Sequence, residues 1–432
     1  MESARTADKT GRFSIIAGDP FLIFSSKGRR VTLTDYRGTR ESEADPFDYL
    51  KNLLERYRYK HPRMNDAPFS GGAIGMVSYE AKNLLEATSH TRAVIDDLGV
   101  PDLYFIFTDT GFLWDHEKKQ VWRFDPGKRK PIPCRAFHKT LSNKPLRIEA
   151  AVSRQEFMRR VLKAKEYIHR GDIFQANLSQ RFSFPLHGPV AETYAKLKAI
   201  NPSPFFGILD AKDFQIVSGS PERLVELKSG ELSTRPIAGT RSKLGSLAQD
   251  RRQTVELLLS EKERAEHIML VDLERNDLGR VAETGSVVVD ELMAIEEYSH
   301  VKHIVSNVRA RLRKDLSAVD ALKAMFPGGT ITGAPKIRSM QIIDELEGVA
   351  RGPYTGSMGY FSFTGDMDFN IIIRSLLIKS GTAYLSAGAG IVADSDPSKE
   401  YDETLYKAEA VFTALFGRLK TQRLFQRLRA GR

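Results

Sequence analysis

The period of apolar positions changes repeatedly along the 432-residue chain. In "SRQEFMRRVLKAKEYIHRG" (153–171), Phe157, Val161, Ala164 and Ile168 recur at three- and four-residue spacing, which predicts one face of a helix. Ser153 and Glu156 form a capping-box signature at its start, and Gly171 marks its stop. The pattern then alternates in "IFQANLSQRFSF" (173–184), which predicts a strand. Further strands are expected at "FFGILD", "FQIVSGS", "HIVSNVRARL", "GSMGYFSF", "FNIIIRSLLIK" and "TAYLSAGAGIV", with helices at "AVDALKAMF" and "PKIRSMQIIDELE" between them. Nearer the start, "FSIIA", "FLIFSS" and "LYFIFTDTGFLW" predict strands of a mixed sheet, and "PFDYLKNLLERYRYK" predicts a helix. Residues 125–145 are rich in Pro, Lys and Ser and read as a linker. The expected organisation is an N-terminal lobe (1–124), that linker, a more strongly patterned region (146–417) and a tail (418–432) of one large α/β protein.

Composition narrows the function classes. Of the formal charge of +10, six units sit in the tail "GRLKTQRLFQRLRAGR", which contains no acidic residue. Leu419, Leu424, Phe425 and Leu428 punctuate it as in a basic amphipathic helix. A solvated helix end is the plain alternative, and nucleic-acid binding is disfavoured because no recognised motif accompanies the charge. Cys134 is the single cysteine, so no intrachain disulfide forms and a reducing compartment is expected. No run of eighteen apolar residues occurs, and the first residues lack the apolar core of a secretory signal. A cytoplasmic protein without a membrane partner is therefore expected.

The candidate chemistry begins with "EKERAEHIML" (261–270), where Glu263 and Glu266 fall on neighbouring positions of one helical face. Ser260 with Glu263 is also a capping-box pattern, so the pair has a purely structural reading. A second pair, Glu400 and Glu403, stands in "SKEYDETLYK" with Lys407 on the same stripe. Two such pairs could supply one hard cation, for which Mg²⁺ is the best match, since it takes one or two carboxylates, waters and an anionic ligand. Two glycine-rich stretches, "FPGGTITGAPK" (326–336) and "SAGAGIV" (386–392), are candidate anion-binding loops, although the former fails the Walker pattern and tight turns explain either. Arg374, inside an apolar run, needs an acidic partner, either a structural ion pair or a substrate carboxylate. His303 alternates with apolar residues, as a core histidine or an acid/base group.

These stretches, together with "GGAIGMVSYE", "NPSPFFGILD", "TRPIAGTR", "KERAEHIMLVDLERNDLGRV" and "AGAGIVADSDPSKEYDET", resemble the chorismate-utilising enzymes, the family of component I of anthranilate synthase and of aminodeoxychorismate synthase. The resemblance covers nearly the whole chain apart from the tail. It implies an α+β fold of two lobes with facing, mainly antiparallel sheets flanked by helices, and a cleft for chorismate. It implies that Glu266 and Glu403 bind Mg²⁺ with Glu263 and Glu400 beside them, and that the metal holds the ring carboxylate. Tyr354 and Arg374, with the Gly388 and Gly390 backbone, match the grip on the enolpyruvyl carboxylate; Thr332 and Lys407 match residues of the same site. His303 matches the histidine beside the departing hydroxyl, and Ala238, Gly239 and Thr240 match the loop beneath the ring. Relatives that add water have a lysine where this chain has Gln175, so the resemblance implies ammonia as nucleophile, delivered by a glutamine amidotransferase subunit. "QANLS", "FPGGTITGAPK" and "MDFN" are similar to aminodeoxychorismate synthases, where anthranilate synthases read closer to "QVVLS", "FPAGTVSGAPK" and "MDTA". Ala238 points the other way, because many aminodeoxychorismate synthases have a lysine there.

Overall fold

The computed structural model describes residues 1, 11–59, 67–86, 94–125, 129–132, 147–242, 247–297 and 301–431. Cys134 and most of the expected linker lie outside these residues.

Two large sheets form the framework, and every strand ladder in them is antiparallel. The smaller has seven strands and is built around Gln175–Pro185 and Thr382–Ile391, whose ten-residue register sets Asn177 opposite Gly390 and Ser179 opposite Gly388. The larger has twelve. Its strands Gly72–Val77 and Leu103–Thr108 come from the first 124 residues, yet Gly72–Val77 pairs directly with Ser357–Ser362. The segment expected as a separate N-terminal lobe therefore completes a sheet begun by the later region, and the sheet expected to be mixed is antiparallel. A boundary between sheets does not fall at 125–145. A third sheet, of three strands, contains Phe13–Gly18, Thr110–Asp115 and Gln120–Phe124.

The two large sheets face each other. Met76, Tyr104 and Met358 of the larger share one buried cluster with Leu209, Phe214, Ile216 and Leu377 of the smaller. Helices Arg154–His169, Val190–Ile200 and Pro397–Phe416 cover the outer face of the smaller sheet through Phe157, Leu197, Leu405 and Phe412. Of the expected capping box at Ser153, the hydroxyl half is present, accepting from the Glu156 N–H at 3.1 Å. The Glu156 carboxylate turns instead to Arg159 and Arg160. The basic tail forms helix Arg418–Arg429, with Phe425 buried in the same core and Leu424 and Leu428 packed against it. Its apolar stripe is thus covered by the protein, while Leu419 is exposed. Among the described residues no helix is long and apolar enough to cross a membrane.

Two expected elements take a different form. "FNIIIRSLLIK" is two strands, Met367–Ile371 in the larger sheet and Ser375–Lys379 in the smaller. The chain turns between them at Arg374, whose φ of 51° is a conformation uncommon outside glycine. "SAGAGIV" is no loop, because Gly388 and Gly390 lie within strand Thr382–Ile391. "FPGGTITGAPK" does bend, through a short turn at Gly329–Ile331, but it is a packing element: a Cβ at Gly329 would lie 2.2 Å from Leu273 Cδ2. Lys336 there is ion-paired with Asp277, so it offers no anion site of the Walker kind.

Candidate active site

A cavity of about 640 Å³ opens where the chain passes between the two sheets. Helix Glu261–Gly279 starts at Ser260, whose hydroxyl accepts from the Glu263 N–H at 3.4 Å. Capping and site roles therefore coexist, since Glu263 and Glu266 also line the cavity. Helix Pro397–Phe416, capped by Asp396 on the N–H groups of Ser398 and Lys399, brings Glu400 and Glu403 to the same space. Glu403 pairs with Lys407 at 2.8 Å, and Lys407 also donates to the Gly388 carbonyl at 3.0 Å.

Among the described residues no three His, Cys, Asp or Glu side chains already converge as a metal cage. A Mg²⁺ site does not require one, because the ion keeps several waters and completes its shell with the substrate's anion. Four carboxylates from two helices around one cavity are an all-oxygen donor set of the right hardness. The residues present thus fit Mg²⁺, with Glu266 and Glu403 as the candidate ligands and Glu263 and Glu400 beside them.

Glycines shape the opposite wall. A Cβ at Gly388 would lie 2.4 Å from Asn177 Oδ1 and 2.9 Å from the Tyr354 hydroxyl, and one at Gly390 would lie 2.5 Å from Gln175 Nε2. Ala238 and Gly239 line a third side; Gly239 has φ of 61°, and a Cβ there would meet Glu263 Oε2 at 2.9 Å. His303, on strand Val301–Arg311, places Nδ1 3.3 Å from the Gly239 carbonyl. That contact assigns the proton to Nδ1. Burial, and then the Arg374 charge, push His303 down to about 4. At that value the ring favours the neutral form, with Nε2 as its acceptor.

Arg374 and Tyr354 line the cavity too, and burial holds the Tyr354 phenol protonated. Thr332 does not: its hydroxyl is buried and donates to the Gly328 carbonyl at 2.8 Å. Thr330, two residues earlier on the same tight turn, is the threonine at the wall. The Thr240 side chain lies outside the described residues, and its main chain continues strand Ile237–Ser242.

Residues 4–413 match the family described as chorismate binding enzyme. The chain belongs to this family. It is 40% identical to anthranilate synthase component 1 of Acetivibrio thermocellus, covering 96% of this chain and 89% of that one. It is 41% identical to aminodeoxychorismate synthase component 1 of Bacillus subtilis (strain 168), covering 96% and 91%. The crystal structure of anthranilate synthase component I from Streptococcus pneumoniae TIGR4 superposes with a TM-score of 0.81 at 38% identity, covering 93% and 92%. The protein is thus a chorismate-utilising enzyme, and relatives of both names match it almost equally.

Two contributors to this enzyme's cavity carry little signal in the sequence. Glu222 follows Pro221 where the chain passes from strand Phe214–Ser220 of the smaller sheet to Arg223–Lys228 of the larger. Arg374 marks the return passage, and the two crossings are tied together by the Ile371 N–H donating to the Glu222 carbonyl at 3.0 Å. Burial pushes the Glu222 carboxyl up to about 7, against the Thr330 hydroxyl, Arg374 and Lys407. An acidic residue in a strand-to-strand connection is the one hint the sequence offers. The second is Arg351, fully enclosed, which donates to Glu347 at 2.7 Å, to the Asn177 carbonyl at 2.6 Å and to the Ile331 carbonyl at 3.0 Å, with its guanidinium 5.8 Å from the Tyr354 ring centre. It binds three walls of the cavity into one rigid frame.

Proposed function

We propose that this chain is the chorismate-aminating component of an aminodeoxychorismate synthase, acting with Mg²⁺ in the cytoplasm and receiving ammonia from a glutamine amidotransferase subunit. The observation that carries the reading is Gln175, whose Nε2 lies 3.4 Å from Glu266 Oε1 at the cavity wall. Water is a weak nucleophile unless a base takes its proton, and an amide is no base; ammonia is nucleophilic without one. Lys407, the one lysine at the wall among the described residues, is committed to Glu403 and to the Gly388 carbonyl.

Mg²⁺ on Glu266 and Glu403 would neutralise the ring carboxylate of chorismate. Arg374 and the Tyr354 hydroxyl hold the enolpyruvyl carboxylate against the glycine strand. Glu222 is the acid. With its affinity for protons raised by burial, it gives a proton to the departing C4 hydroxyl, which leaves as water as the C4–O bond breaks and a C–N bond forms. The ammonium group so formed returns one proton to the Glu222 carboxylate, so the net change is chorismate plus ammonia to 4-amino-4-deoxychorismate plus water. His303, neutral, accepts a hydrogen bond beside the leaving group.

Amination at C4, leading to p-aminobenzoate and folate, is supported by the local texts at 175–179, 326–336 and 367–370. Ala238 at the wall favours the second reading, anthranilate formation by amination at C2 for tryptophan synthesis. Purified chain given chorismate, Mg²⁺ and ammonium, with and without aminodeoxychorismate lyase, separates the two. The expected result is p-aminobenzoate only when the lyase is present. Anthranilate without the lyase would replace the first reading by the second.

A further inference from the structure

Helix Glu261–Gly279 is lightly anchored at the end that carries Glu263 and Glu266. Among the described side chains of residues 261–269, His267 alone is buried, at 0% exposure, whereas Ile268 beside it is 47% exposed. An imidazole inside and an isoleucine outside on the same turn reverse the usual order. His267 Nε2 is hydrogen-bonded to the Ser306 hydroxyl at 2.5 Å, while Nδ1 is buried with no hydrogen-bond partner among the described residues. A leucine there would bury more apolar surface and leave no ring nitrogen unpaired, so stability alone does not explain the histidine.

Ser306 is itself fixed. It lies in strand Val301–Arg311, three residues from His303, and its Oγ accepts the Met293 N–H at 2.9 Å from the paired strand Val288–Glu297. Both strands belong to the larger sheet, so the helix is tied, one residue past Glu266, to the framework that also carries His303. The other carboxylate helix, Pro397–Phe416, is anchored by packing instead: Tyr401, Leu405 and Ala408, around Glu403, are all buried in the helix-covered core. What a single polar anchor controls is the roll of its helix. Side-chain ends stand about 5–6 Å from a helix axis, so a roll of about 10° moves a carboxylate by about 1 Å. Mg²⁺ takes oxygens at about 2.0–2.1 Å in near-ideal octahedral geometry, and a shift of that size breaks the bond. We propose that His267, through Ser306, is a positioning residue that sets the roll of helix Glu261–Gly279 and with it the reach of Glu266 toward Mg²⁺. The inference rests on the Mg²⁺ reading of the site and adds what holds one candidate ligand in place.

The test pairs calorimetric titration of Mg²⁺ into protein saturated with chorismate, without ammonium, with thermal melting. Three variants are compared with the wild type: His267→Leu, which removes the bond at similar volume; His267→Gln, whose amide can reach where Nε2 does; and Ser306→Ala, which breaks the bond from the other side. Mg²⁺ affinity should be about tenfold or more weaker in His267→Leu, with chorismate affinity in EDTA within about twofold and Tm within about 4 °C of the wild type. His267→Gln should recover Mg²⁺ affinity to within about threefold. Ser306→Ala carries the same Mg²⁺ expectation if the leucine variant does not fold. Unchanged Mg²⁺ affinity in a folded His267→Leu or Ser306→Ala protein, or no recovery in His267→Gln, makes His267 a structural residue and overturns the inference while leaving the metal site intact. Wild-type protein that binds no Mg²⁺ overturns the Mg²⁺ reading and the inference together.

Discussion

Arg374→Ala is expected to raise the KM for chorismate by roughly 30-fold to several-thousand-fold, the range that follows from about 2–5 kcal/mol for leaving a buried carboxylate without its cation. The guanidinium stands at the cavity wall where the chain crosses from the larger sheet to the smaller, where it would meet a substrate carboxylate. The backbone at this position provides a control. A side chain at φ of 51° is strained, and glycine relieves that strain while also removing the charge. Arg374→Gly should therefore melt no lower than Arg374→Ala yet bind chorismate as poorly. An unchanged KM in either folded variant would make Arg374 a structural corner and nothing more.

The second large effect is expected at Glu222. Replacing the carboxyl by an amide removes the proton donor but keeps the shape, so Glu222→Gln should lower kcat by about 10²- to 10⁴-fold with a much smaller change in KM. The wild type should lose kcat as the pH rises through about 7, because only the protonated carboxyl is an acid, and the variant should lack that limb. Stability should fall with rising pH as well. The folded-state affinity for the proton is raised above the unfolded one, so Glu222 favours the folded state most at low pH, and this contribution is lost as the pH climbs from about 4.5 to about 7. At pH 8 the wild type buries a carboxylate and the variant does not, so Glu222→Gln should have the higher Tm. A near-normal kcat across the pH range would remove Glu222 from the chemistry.

How far the sequence could be read depended on whether the information was local. The two acidic helices are local: Glu263 and Glu266, and Glu400 and Glu403, each share a face through three-residue spacing, and the structure brings both pairs to one cavity. The alternation of 173–184 is local too, and it gave strand Gln175–Pro185 with Gln175 and Asn177 on one face. Arg374 was conspicuous as a charge in an apolar run, but periodicity records only that residues are buried and not which sheet buries them. The passage between sheets was therefore hidden. The same limit applies to Gly388 and Gly390, where a G-x-G text is equally consistent with a turn and with a strand facing a cavity. Thr332 and Thr330 differ by less than one turn of a tight bend, so the text "TIT" does not say which hydroxyl faces the site. Glu222 gains its significance only from contact with a segment about 150 residues away, and no single-residue pattern announces that. The pairing of Gly72–Val77 with Ser357–Ser362 is of the same kind, and it is why an apparent lobe turned out to be part of a shared sheet.

The central claim is that one cavity holds chorismate and Mg²⁺ together, and calorimetric titration of chorismate in the absence of ammonium tests it most directly. With Mg²⁺ present, chorismate should bind at least about tenfold more tightly than in EDTA, and chorismate should by linkage tighten Mg²⁺ by the same factor. In a folded Glu266→Gln protein that coupling should disappear. Chorismate affinity that is the same with and without Mg²⁺, or coupling that survives the loss of Glu266, would contradict the account.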